Sequence, residues 1–90
     1  MIRKRYHFYG RVQGVGFRHT AIRAASSLGV TGWVRNERDG SVSMEAQGGE
    51  AALDKLVSTI KAGSYIRVES ITVEDLPLVE NETGFGVKWV

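Results

Sequence analysis

The spacing of apolar and polar positions changes several times along the chain, and each change marks an element. From Arg5 to Val12, Tyr6, Phe8, Gly10 and Val12 share one side while His7, Tyr9 and Arg11 share the other. That alternation predicts a strand with one buried face. Over residues 19–28 the period lengthens: Ala21, Ala25 and Leu28 recur with Ile22 at helical spacing, and Gly29 stands where a helix would end. Val30 to Asn36 reads as a second strand, in which Gly32 lets neighbouring backbone come close and Trp33 supplies bulk. Asp39-Gly40 is a hairpin signal. Ser41 to Gln47 then alternates again, with Val42, Met44 and Ala46 inward and Ser43, Glu45 and Gln47 outward. After Gly48-Gly49, the stripe Leu53, Leu56, Val57 and Ile60 predicts a second helix, closed by Ala62-Gly63-Ser64. Ile66 and Val68 differ in parity from Ile71 and Val73, so a β-bulge near Glu69 or Ser70 is needed to turn all four to the core. Leu76 to Thr83 reads as a loop, and Phe85, Val87 and Trp89 as a short last strand.

The order is βαββαβ with the final strand divided. Two helices on one face of an antiparallel sheet make a ferredoxin-like α/β sandwich. At 90 residues the chain suits one domain, residues 1–90, with a single core. No apolar run approaches a membrane span, and the start lacks the pattern of a secretory signal. Cysteine is absent, which removes disulfides and thiolate catalysis and accords with a cytoplasmic location. His7 and His19 lack the neighbours of a metal site, so no metal or cofactor is expected. His7 reads as a surface residue and His19 as a bystander. Net charge is only +2, but residues 1–40 carry eight Lys/Arg against two Asp/Glu, and residues 41–90 carry four against eight. The N-terminal half therefore favours an anionic partner. Arg3, Lys4, Arg5, Arg11, Arg35 and Arg38 are candidate phosphate contacts for a nucleic acid. Solvated edge charges explain most of them equally simply.

The stretch with chemistry in it is Gly10-Arg-Val-Gln-Gly-Val-Gly-Phe-Arg18. Gly14 and Gly16 allow a tight turn with several N–H groups pointing inward, a helix N-terminus follows, and Arg18 adds a planar fork of donors. Such a loop suits phosphate or another small oxyanion. The same glycines also fit a turn that does nothing but redirect the chain. The spacing is neither the dinucleotide fingerprint nor a nucleoside-triphosphate loop.

This stretch resembles the first signature of the acylphosphatase family, and Gly32-Trp-Val-Arg-Asn36 with Asp39-Gly-Ser-Val42 resembles the second. The resemblance spans nearly the whole chain. It implies a hydrolase in which Arg18 and the backbone amides of Gln13, Gly14, Val15, Gly16, Phe17 and Arg18 hold the phosphate, while Asn36 positions water. The implied substrate is a small acyl phosphate, cleaved to carboxylate and inorganic phosphate by a monomer without metal, nucleic-acid or membrane partners. A non-catalytic module that binds an anion or a protein is the alternative, and an RNA-binding domain is a more distant one. Retention of both Arg18 and Asn36 and the length of the chain favour the enzyme. The chain departs from the family's commoner form at Ala21, over Ala62 to Val68 and over Phe85 to Val90, which bears on substrate preference and rate more than on chemistry.

Overall fold

The computed structural model describes residues 1–89. Its elements are β1 (Ile2–Arg11), α1 (Phe17–Leu28), β2 (Thr31–Asn36), β3 (Val42–Gly48), α2 (Glu50–Lys61), β4 (Arg67–Leu76) and β5 (Phe85–Val87). The five strands form one sheet in the order β4-β1-β3-β2-β5. This is the ferredoxin-like sandwich that the pattern predicts. The four longer strands pair antiparallel, while β5 runs parallel to β2 and makes the sheet mixed at that edge.

The helices cover the face to which the alternating residues point. Phe8, Val34, Val42, Met44 and Ala46 meet Ala21 and Ala25 of α1 and Leu53, Leu56 and Ile60 of α2 in one buried cluster. Tyr6 also lies in that core. The pair Tyr6 and Phe8, on an RNA-binding domain the obvious stacking platform, is thus closed to any base. Gly32 meets its expectation directly, because a Cβ there would collide with the Glu45 carbonyl oxygen across the β2–β3 ladder.

The bulge falls where parity requires it. Tyr9 pairs with Ser70 and Gly10 with Val68, leaving Glu69 as the extra residue. It turns Ile66, Val68 and Ile71 toward the core; Val73 faces the same side, in a groove with Asp54, Val57 and Lys61 of α2, but remains 51% exposed. β4 is an edge strand, and α2 covers it only in part. A second difference lies on the opposite face. Ser43 and Gln47 point away from the helices as predicted, yet both are buried. There the chain after β4 folds back over β3: the Gln47 amide nitrogen donates to the Val79 carbonyl (3.0 Å), and the Val79 N–H donates to Gln47 Oε1 (2.8 Å). Beside it Arg3, 3% exposed, forms ion pairs with Glu45 (3.0 Å) and Glu82 (2.8 Å). A candidate phosphate contact by charge alone, Arg3 is a buried tie between the sheet and the β4–β5 connection.

Candidate active site

Residues 12–16 carry the chain from the end of β1 to the start of α1. Gly14 (φ 71°) and Gly16 (φ 82°) both adopt left-handed angles. A Cβ at either would meet nothing within 4 Å, so the backbone angle and not crowding calls for glycine. Gly16 is the N-cap of α1, with no side-chain cap and no acidic residue in the first turn. The first helical bond runs from the Thr20 N–H to the Gly16 carbonyl at 3.0 Å. The N–H groups of Phe17, Arg18 and His19 therefore have no helical acceptor. The helix begins earlier than the apolar spacing predicts, because Phe17 is itself buried and packs edge-on against Phe8, ring centroids 4.9 Å apart. Arg18 thus sits in the first turn, where its charge and the helix dipole act together.

β2 ends at Asn36 on the other side of the same concavity. The cleft, of about 320 Å³, is lined by Gly14, Gly16, Phe17, Arg18, Asn36 and Trp89 among others. The Arg18 guanidinium lies over the Trp89 ring, 5.2 Å from its centroid, and forms no ion pair among the described residues. Asn36 Oδ1 is buried and is the one such side-chain atom without a hydrogen-bond partner among the described residues. An unpaired buried amide oxygen costs free energy, and the residue that carries this one also lines the cleft. Together the two sides offer a cation, free N–H groups and an oriented acceptor.

The remaining loop residues take other positions. Val15 faces a second concavity on the far side of the loop. The Gln13 side chain turns away from the cleft toward the β2–β3 hairpin, where its amide nitrogen donates to the carbonyls of Glu37 (2.7 Å) and Ser41 (2.9 Å). His7 is not a free surface residue. It is half-buried, stacks on Tyr9 at 4.6 Å and sits 2.6 Å from the Ser41 hydroxyl. Ser41 has one hydroxyl proton and donates it to Asp39, so His7 Nε2 is the donor to Ser41 Oγ. That hydroxyl and the Ser41 N–H hold the Asp39 carboxyl below its ordinary range. A hydrogen bond from Ser43 and another from Arg35 do the same for Glu37. Both carboxylates are thereby biased toward the ionised form. Trp89 is the lining residue that sequence reasoning misplaced. Its alternation with Phe85 and Val87 suggested a strand position, yet β5 stops at Val87 and Trp89 is 75% exposed against Arg18.

A model of the family described as Acylphosphatase matches residues 4–87. The chain belongs to the acylphosphatase family. It is 44% identical over 90 residues to an acylphosphatase of Bifidobacterium longum, covering 98% of this chain and 93% of that protein. Its fold matches the crystal structure of acylphosphatase from Bacillus subtilis with a TM-score of 0.90 at 36% identity, across 98% of this chain and 99% of the other. It also matches part of full-length HypF, crystallised in a phosphate- and nucleotide-bound form, with a TM-score of 0.83 at 26% identity; 98% of this chain corresponds to 12% of that one. The two segments that resembled acylphosphatase signatures are far apart in sequence but supply opposite walls of one cleft. Of the three departures, Ala21 is a buried helix contact, and the segment around Ser64 to Arg67 lines the concavity beyond the loop. Of the third, Val90 lies outside the described residues.

Proposed function

We propose that the chain hydrolyses acyl phosphates in the Arg18–Asn36 cleft, without a metal ion. An acyl phosphate is a mixed anhydride whose carboxylate leaves readily, so the demands on the protein are to hold the phosphoryl group and aim water in line. Arg18 and the free N–H groups from Gln13 to Arg18 take the phosphoryl oxygens, both in the ground state and as charge shifts during transfer. Asn36 Oδ1 accepts a hydrogen bond from the attacking water. The water oxygen bonds to phosphorus, the bond from phosphorus to the acyl oxygen breaks with its electron pair going to the carboxylate, and the water proton passes to a phosphoryl oxygen. The observation that carries this reading is the buried, unpartnered Asn36 oxygen in the same cleft as Arg18.

The reading takes residues 1–90 as one domain acting as a cytoplasmic monomer on a small molecule, with no nucleic-acid or membrane partner. Three observations support a single domain without a nucleic-acid partner. The family match spans 4–87, Arg3 is engaged in ion pairs, and Tyr6 and Phe8 are closed off. Among the described residues no helix is long and apolar enough to cross a membrane, and no group of three His, Cys, Asp or Glu is placed to hold a metal. The second reading is a module that binds an anion or a protein without catalysis; the match to 12% of HypF shows this fold as part of a longer chain.

Hydrolysis of benzoyl phosphate in the presence of a chelator separates the two. The intact chain turns it over, and Arg18→Ala and Asn36→Ala each lose about 100-fold or more while remaining folded by circular dichroism. A folded chain that binds phosphate but never hydrolyses the substrate would leave the binding module.

A further inference from the structure

The second concavity lies on the other side of the glycine loop from the Arg18–Asn36 cleft and is the larger, about 610 Å³. Gly14 and Gly16 line both clefts. With no side chain at either glycine, the loop leaves little to separate a ligand in one from the other. The far wall is formed by Ser64, Tyr65 and Arg67, with Arg11 on the β1 side. Arg11 and Arg67 are direct partners across the β1–β4 ladder. Like charges placed opposite each other in an antiparallel pair destabilise the sheet. Neither arginine forms an ion pair among the described residues, although Glu69 occupies the bulge beside them. Tyr65, 78% exposed, brings a phenol to the same rim. Two unpaired guanidinium groups at adjoining positions, next to a phosphate loop, are matched by one ligand chemistry: a carboxylate or phosphate able to bridge them.

We propose that Arg11 and Arg67, with Tyr65, form a second anion subsite that receives the charged end of the acyl group. It rests on the acylphosphatase reading of the first cleft. An acyl phosphate with a second anionic group then spans the glycine loop, its phosphoryl group at Arg18 and its tail between Arg11 and Arg67. An acyl phosphate with a neutral tail engages only the first cleft. The subsite sets preference and takes no part in the chemical step.

The test compares succinyl phosphate, whose tail ends in a carboxylate, with benzoyl phosphate, whose tail is neutral. In the double variant Arg11→Gln/Arg67→Gln, kcat/KM for benzoyl phosphate stays within about twofold, while the ratio of succinyl to benzoyl falls about 10-fold. Both substitutions remove a repulsion, so the variant melts no lower than the intact chain. Succinate raises the melting temperature of the intact chain and does so less in the variant. An unchanged substrate ratio overturns the proposal. If the succinate shift is lost while the ratio holds, the pair binds free anions and the assignment to the substrate tail is wrong. If the intact chain hydrolyses neither substrate, the acylphosphatase reading fails and takes the tail assignment with it, while the succinate shift still reports whether the pair binds an anion.

Discussion

At the scale of single residues the proposed chemistry divides by what each side chain is able to do. A guanidinium is a planar cation and an amide is uncharged, so Arg18 and Asn36 act by position. The Arg18 guanidinium lies over the Trp89 ring, and its planar fork matters only if two phosphoryl oxygens are held at once. Arg18→Lys keeps the charge and loses the fork. Its kcat/KM on benzoyl phosphate should fall about 10-fold or more; a rate near that of the intact chain would show that charge alone suffices. The sequence made Arg18 and Asn36 legible as candidates, through glycine spacing for the first and through resemblance for the second. That the Asn36 oxygen is buried and unpaired was not legible, because burial is set by β2's neighbours and the loop, which are distant in sequence.

At the scale of elements, two pieces of chain must be held in register: the loop with Arg18 and the strand end with Asn36. Gln13 is the link between them. One amide group reaches carbonyls on both sides of the β2–β3 turn, at Glu37 and Ser41, and so ties the loop to the hairpin one residue beyond Asn36. Gln13→Ala leaves both carbonyls without that donor and should cost about 1–3 kcal/mol in urea unfolding. The same variant should lower kcat more than it raises KM, since phosphate still binds the loop while water is no longer aimed. A loss confined to stability would reduce Gln13 to scaffolding. Periodicity located both helices, the hairpin and the bulge at Glu69, because each rests on local spacing. It missed what depends on partners. The start of α1 was set by Phe17 packing on Phe8, and the parallel course of β5 by the return of the chain to the β2 edge. Val73 stays exposed because its strand is at the rim.

At the scale of the whole molecule, the sheet is bound on two faces by different means, and they respond differently to pH. The helix-covered face is apolar, and burial pushes its Tyr6 phenol up to about 12, so that face takes up no proton on acidification. The other face depends on Arg3, which joins β1 to Glu45 and Gln47 of β3 and to Glu82 of the last connection. The hydrogen bond it donates to Glu82 is the main reason the Arg3 guanidinium is held above its ordinary value. Burial pushes the Glu82 carboxyl up, but hydrogen bonds from Arg3 and Thr31 and the Arg3 charge outweigh it and leave the group below its ordinary 4.5. A carboxyl whose folded pKa lies below its unfolded one adds stability that is complete above the unfolded value and is lost as pH falls through the folded one. The melting temperature should therefore hold from neutrality down to about pH 5 and drop below the ordinary value of 4.5. Glu82→Gln cannot ionise, so it should begin about 1–3 kcal/mol less stable at neutral pH and lose less on acidification. Glu37 and Asp39, also held low, preserve part of the slope in that variant. Parallel acid profiles for the two proteins would mean that Glu82 contributes no linked proton, and that the tie across the back of the sheet is held by Glu45 alone.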